Sequence, residues 1–178
     1  MDSVYNRVVD KRLAVLDTSF WSGAVHVGVD AYLPLFFARP LSVPTAVVRE
    51  IERLGQPSSP RLREDQQRCR LWLEDGRLLI VDPVRPYGRF GAGEAASLGL
   101  ALEQPGAVLL VNEVRCYVEA VRLGVHPVAV SEVVVRLARS GIIAGTRAAS
   151  MLDLLEETTG TTILERARRA IAEGGAPE

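Results

Sequence analysis

The feature that most constrains the fold of this chain is the alternation of five short apolar runs with longer stretches of helical character. The runs are "RLAVLDTSF" (residues 12–20, a strand ending at Asp17), "PLSVP" (40–44), "RLLIVD" (77–82), "AVLLV" (107–111) and "VHPVAV" (125–130). Each is too short for a helix and bounded by turn residues. The intervening segments read as helices: Thr45–Leu54, entered through Pro44, then 61–76, 95–103 and 112–124. Three more, over 131–140, 146–157 and Thr161–Glu173, finish the chain. The apolar stretch 28–37 reads as helical, bent or ended near Pro34, and 55–60 is a loop by composition. Buried strands separated by helices specify an α/β fold: a parallel sheet covered on both faces. At 178 residues and 48% hydrophobic content the chain is expected to form one domain, 1–178. The C-terminal helices, 146–173, are expected to pack on it or on a second copy. In the last of them Ile163, Leu164, Ala167 and Ile171 share a face.

A sheet of this kind presents its chemistry beyond the carboxyl ends of its strands. Asp17 ends one strand, and Asn112 and Glu113 end another, in the stretch "VLLVNEV". Glu94 opens a helix after a glycine-rich turn, and Glu50 lies on a helix after "AVV". Singly, each acid has a structural reading: Asp17 as a helix cap, Glu94 in a favourable first turn, Glu50 on a solvated face. Together the four could converge. Converging carboxylates repel one another, so a cation is the natural reason to gather them, and oxygen donors suit Mg²⁺ or Mn²⁺.

"LAVLDTS", "VPTAVVREI", "GAGEAASLGLAL" and "VLLVNEVRCYVEAVRLGV", in that order, resemble the successive motifs of PIN-domain (PilT N-terminal domain) nucleases. "VAVSEVVVRLARSGII" and "MLDLLEETTG" resemble the C-terminal half of one bacterial and archaeal, VapC-like subgroup. The likeness covers roughly residues 13–173. It implies a three-layer α/β/α sandwich and Mg²⁺- or Mn²⁺-dependent cleavage of RNA. It also implies a homodimer, and a possible antitoxin partner if the chain is a toxin of a toxin–antitoxin pair. By position, Asp17 is the first-strand acid, Ser19 its supporting hydroxyl, Glu50 and Glu94 further acids, and Glu113 the acid closing the set. Asp17, Glu94, Asn112 and Glu113 are the implied metal ligands. Asn112 is the departure, standing where the family usually has an aspartate. An amide brings no charge and cannot act as a base, so a PIN-like RNA- or protein-binding module with weakened catalysis is the alternative.

Other readings fare less well. "GAGEAA" (91–96) matches GxGxxA, and Glu113 follows Gly91 by 22 residues, as in a dinucleotide fold. Yet a proline-containing segment separates the glycines from the preceding strand, and Asp17 and Glu50 would be left unexplained. There is no nucleophile elbow or phosphate loop, and His26 and His126 lack zinc spacing. Trp21 and Trp72 could stack on bases but are more often core residues, and Cys116 reads as core. The net charge of −1 gives no global basic field, so nucleic acid would need a local patch. Arg49, Arg115 and Arg122 are the candidates for phosphate contacts. Cys69 and Cys116 lack CxxC spacing, no signal peptide is evident, and no run approaches the ~20 apolar residues of a membrane span. A cytoplasmic protein is expected.

Overall fold

The computed structural model describes residues 12–54, 59–156 and 159–173. All five strands appear: β1 (Ala14–Leu16), β2 (Leu41–Val43), β3 (Leu78–Ile80), β4 (Val108–Leu110) and β5 (His126–Val128). They form one parallel sheet in the order β3-β2-β1-β4-β5. Leu16 pairs with Leu110, so the strands ending at Asp17 and Asn112 are neighbours, as expected. The chain order reverses between β1 and β4, which makes this pair the topological switch point, where such sheets open a crevice.

The period of two along the strands divides the core. Ala14, Leu16, Val108 and Leu110 face one cluster, completed by Phe20, Trp21, Val133, Leu137 and Leu152. Val15, Leu109 and Val111 face the other, with Leu98, Leu100, Cys116 and Ala120. Two α-layers thus sandwich the sheet. On the first face lie α1 (Thr18–Val27), α3 (Thr45–Leu54), α4 (Pro60–Glu74), α7 (Val130–Arg139), α8 (Gly145–Leu154) and α9 (Thr161–Glu173); on the second lie α5 (Ala92–Glu103) and α6 (Val114–Arg122).

Three segments differ from the sequence reading. α1 is a ten-residue helix where the sequence offered only a possible cap at Asp17 and no helix span, because "TSFWSGAVHV" is rich in β-branched, aromatic and glycine residues of low helix propensity. Its burial between sheet and outer helices outweighs that preference. The stretch read as helical and bent or ended near Pro34, 28–37, is a 3₁₀ turn (Asp30–Tyr32) followed by the single turn α2 (Leu33–Phe36), with Pro34 in its first turn. α5 begins three residues earlier than expected, since Glu94 reaches back to the Gly91 N–H. The expected loop lies mostly outside the described residues, over 55–58, as does Glu157, the last residue of the expected helix. α9 buries Leu164 and Ala167 against its own chain, on α7 and α8.

Candidate active site at the switch point

Asp17 is 1% exposed. Its backbone N–H donates to Leu110 O, extending the β1–β4 ladder by one step. Its side chain caps α1: Oδ2 accepts from the Ser19 N–H (2.9 Å) and the Ser19 hydroxyl (2.6 Å). Oδ1 is buried and has no hydrogen-bond partner among the described residues. Burial drives the carboxyl up to about 6, against the two Ser19 hydrogen bonds, and Glu94 and Glu50 push it the same way. Asp17 is thus both the expected helix cap and a buried acid with one oxygen unused.

Ser19 is the hub of the site. While its hydroxyl donates to Asp17, its oxygen accepts from the N–H groups of Asn112 (3.0 Å) and Glu113 (3.3 Å). One hydroxyl therefore joins the ends of β1 and β4.

Glu50 is held from two sides. The Thr18 hydroxyl donates to Oε2 (2.7 Å) and the Gly93 N–H to Oε1 (2.8 Å). A Cβ on Gly93 would come within 2.3 Å of the carboxylate, so this glycine permits a close approach of α5 to α3. The helix that carries Glu50 is anchored in turn by Asp82, beyond β3, which accepts from the Thr45 N–H (2.8 Å) and hydroxyl (2.7 Å). These bonds, and more weakly Arg49, hold the Asp82 carboxyl below its usual range.

Glu94 and Glu113 each use one oxygen to cap their own helix, on the N–H of Gly91 (3.2 Å) and of Cys116 (2.6 Å). Burial raises the Glu94 carboxyl, with Glu113 and Glu50 adding to the rise and Arg115 opposing it. Asp17, Glu50, Glu94 and Glu113 therefore share one electrostatic neighbourhood.

Asn112 lies elsewhere. Its Oδ1 accepts from the Val130 N–H (2.9 Å), capping α7, and its Nδ2 sits against Gly23, where an added Cβ would be 2.6 Å away. The other atoms near that Cβ belong to Val130 and Leu155, both in the first core. The strand alternation, carried one step past β4 by the Val111 N–H to Val128 O, explains this: Leu110 and Asn112 fall on the first face and Val111 on the second, while Glu113 is already the cap of α6.

The donor set fits a hard cation in its chemistry. Asp17 Oδ1, Glu94 Oε1 and Glu113 Oε1 accept no hydrogen bond among the described residues, while the other oxygen of each carboxylate fixes its position. Both Glu50 oxygens are engaged. Among the described residues, no three His, Cys, Asp or Glu side chains are drawn together tightly enough to hold a metal as they stand.

Of the remaining candidates, Arg115 lies near Glu94 with its guanidinium 5.9 Å from the Phe90 ring. Arg122 is clamped by Glu119, through two contacts of 2.7 Å. Trp21 and Trp72 are buried against each other at 5.3 Å. Burial pushes the Cys116 thiol far up, which suits core and not a nucleophile. The "GAGEAA" turn follows β3, an edge strand, and residues 81–90 separate the two, so the glycines do not make the direct strand-to-helix turn that a dinucleotide fold requires. Sequence reasoning missed Thr18, Gly93 and Asp82, which have no signal in a single sequence because each acts on a partner more than 30 residues away.

The family model that matches the chain is that of a PIN domain, over residues 15–173. No curated protein matches closely enough to stand as a relative.

Proposed function

Because the chain belongs to the PIN-domain family, a nuclease-type fold, we propose that it is a divalent-metal-dependent ribonuclease acting at the β1–β4 switch point. The observation that carries the reading is the unpartnered, buried Oδ1 of Asp17 beside three further acids. A buried anion with an unused oxygen is costly unless something compensates it. Asp17, Glu94 and Glu113 would hold a Mg²⁺ or Mn²⁺ ion through the oxygens that cap nothing. Glu50 sets the distance between α3 and α5 and adds negative charge, and Ser19 fixes Asp17. When bound, such an ion neutralises phosphate charge and lowers the pKa of water. The chain's own part is to orient the carboxylates and to keep Asp17 ionised only when compensated. Arg115, with Arg49, is suited to the phosphates of the strand. Asn112 acts as the cap that joins β4 to α7, and its neutrality leaves the acidic set intact.

Cleavage of a fluorescent single-stranded RNA with Mn²⁺ or Mg²⁺ tests this. Activity should vanish with chelator and in Asp17→Asn while the fold persists. Cleavage unchanged in both would remove the reading.

The finer proposals are that the protein works in the cytoplasm, pairs as a homodimer and serves as the toxin of a toxin–antitoxin pair. Val118 and Val121, exposed along α6, offer apolar surface for a partner. Among the described residues, no helix is long and apolar enough to cross a membrane.

A second reading, a PIN-like module that binds RNA or protein without cutting, is favoured by the capping roles of Glu94 and Glu113 and the absence of a tight three-ligand cluster among the described residues. RNA binding without Mn²⁺-dependent cleavage would select it.

A further inference from the structure

Residues 82–90, between β3 and α5, form a loop without regular secondary structure, yet it is pinned along α5. The Glu103 carboxylate accepts from the N–H groups of Val84 (2.9 Å) and Arg85 (3.0 Å). Arg85 O lies so near Gly99 that a Cβ there would be 2.4 Å away. The Tyr87 N–H donates to Ala95 O (2.7 Å), and its hydroxyl donates to Glu119 of α6 (2.5 Å). A segment fastened at four points presents its remaining side chains in fixed positions.

Those side chains line an open cleft of about 500 Å³, bounded by Tyr87, Gly88, Arg89, Glu119 and Arg122. Glu119 is neutralised within it: Arg122 and Tyr87 hold its carboxyl down to about 2. Arg122 is spent on that clamp. Arg89 forms no ion pair or hydrogen bond through its side chain among the described residues; it adds weakly to the pull on Glu119 and leaves the cleft with net positive charge. From Tyr87 the half-buried ring of Phe90 is 6.2 Å away, and over Phe90 stands Arg115, close enough to Glu94 to lower its carboxyl. From the acids to the cleft the order is therefore a cation, Arg115, two neighbouring rings, Phe90 and Tyr87, and a second cation, Arg89. Cations flanking exposed ring surface match a single strand, with its phosphates for the cations and an unstacked base for the ring.

We propose that this path is a subsite for the nucleotides flanking the scissile phosphate of a single-stranded polynucleotide, with Arg89 and Arg115 on backbone phosphates and Phe90 under a base. The inference rests on the nuclease reading for the position of the scissile phosphate, and not for the binding itself. A duplex is the wrong ligand, because its paired bases cannot reach the Phe90 ring. RNA and single-stranded DNA share the chemistry described, and the experiment separates them.

The test is fluorescence anisotropy of the full chain in chelator, so that no strand is cut, with labelled single-stranded RNA, single-stranded DNA and duplex RNA of one length across a salt series. Arg89→Gln/Arg115→Gln should weaken single-strand binding at least tenfold. It should also reduce the slope of log K against log salt by about 1.4, two phosphate contacts at about 0.7 each. Phe90→Ala should weaken binding at least about fivefold with the slope unchanged, as lost stacking does. Both proteins should keep the wild-type melting temperature within a few degrees, and Arg89→Lys/Arg115→Lys should restore the slope. Tighter binding of RNA than of DNA identifies RNA as the ligand, and the reverse identifies DNA. Wild-type affinity and slope in both variants would overturn the subsite, as would duplex binding with the same dependence on Phe90. Asp17-dependent cleavage with unaffected variants would leave the nuclease reading standing and remove the subsite. Lost binding without any Mn²⁺-dependent cleavage would do the opposite.

Discussion

The carboxylate of Glu50 accepts a 2.8 Å hydrogen bond from the backbone of Gly93, and the space between the two leaves no room for a methyl group. A residue on α3 thereby fixes where α5 begins, and with it the position of Glu94. In an isolated helix Gly→Ala gains about 1 kcal/mol. Here the new Cβ would press on a carboxylate held also by Thr18, and overpacking costs typically about 1–3 kcal/mol. Gly93→Ala should therefore destabilise the protein and weaken Mn²⁺ binding. Urea denaturation and metal titration calorimetry decide it; a variant more stable than wild type with normal Mn²⁺ binding would show that Glu50 moves aside freely.

Asp17 makes the metal-free protein sensitive to pH. Its carboxyl sits near 3.8 in the unfolded chain and about 6 in the folded one. Between those values the native state keeps a proton that the unfolded state has lost, so stability falls as pH rises through that window. The loss is on the order of 3 kcal/mol, complete above about pH 6. Thermal unfolding in chelator from pH 4 to 7 should show the decline, and Asp17→Asn should flatten it and match or exceed wild-type stability at pH 7. A wild-type curve that rises over this range, or an Asn variant with the wild-type slope, would count against a carboxylate raised by burial.

Ser19→Ala removes the acceptor of two backbone N–H groups and a donor to Asp17 at once. Leaving such groups unsatisfied costs about 1–3 kcal/mol each. The expected result is a loss of that order or more in urea denaturation, with the Asp17 carboxyl rising further. A change under 0.5 kcal/mol, on the order expected of an ordinary surface substitution, would mean that water replaces the hydroxyl without penalty.

Asn112→Asp should be harmful, although it restores the residue usual at that position. One oxygen would keep the Val130 N–H, but the other would be a buried anion against Gly23, without a donor. Burying a polar group unpaired costs about 1–3 kcal/mol by mutational measure. Stability should fall, more at pH 8 than at pH 5, and Mn²⁺ affinity should stay within a fewfold of wild type. Tighter metal binding by tenfold would show that residue 112 turns into the acidic site after all.

The sequence by itself determined the strands and their parallel arrangement, and it put Asp17, Glu50, Glu94 and Glu113 forward as candidate acids, because apolar periodicity and strand-end position are local properties. It did not determine α1, whose residues disfavour a helix until tertiary burial outweighs that preference. Nor did it reveal what "VLLVNEV" is for. A single sequence shows Asn112 and Glu113 as adjacent letters, and resemblance treats both as ligands. Only the tertiary structure separated them, because the pleat that turns Val111 to the second face turns Asn112 toward α1 and α7, while Glu113 closes on its own helix, α6. Thr18, Gly93 and Asp82 were invisible for the same reason: each acts through a hydrogen bond to a residue more than 30 positions away, and a contact across such a span exists only once the sheet has brought its strands together.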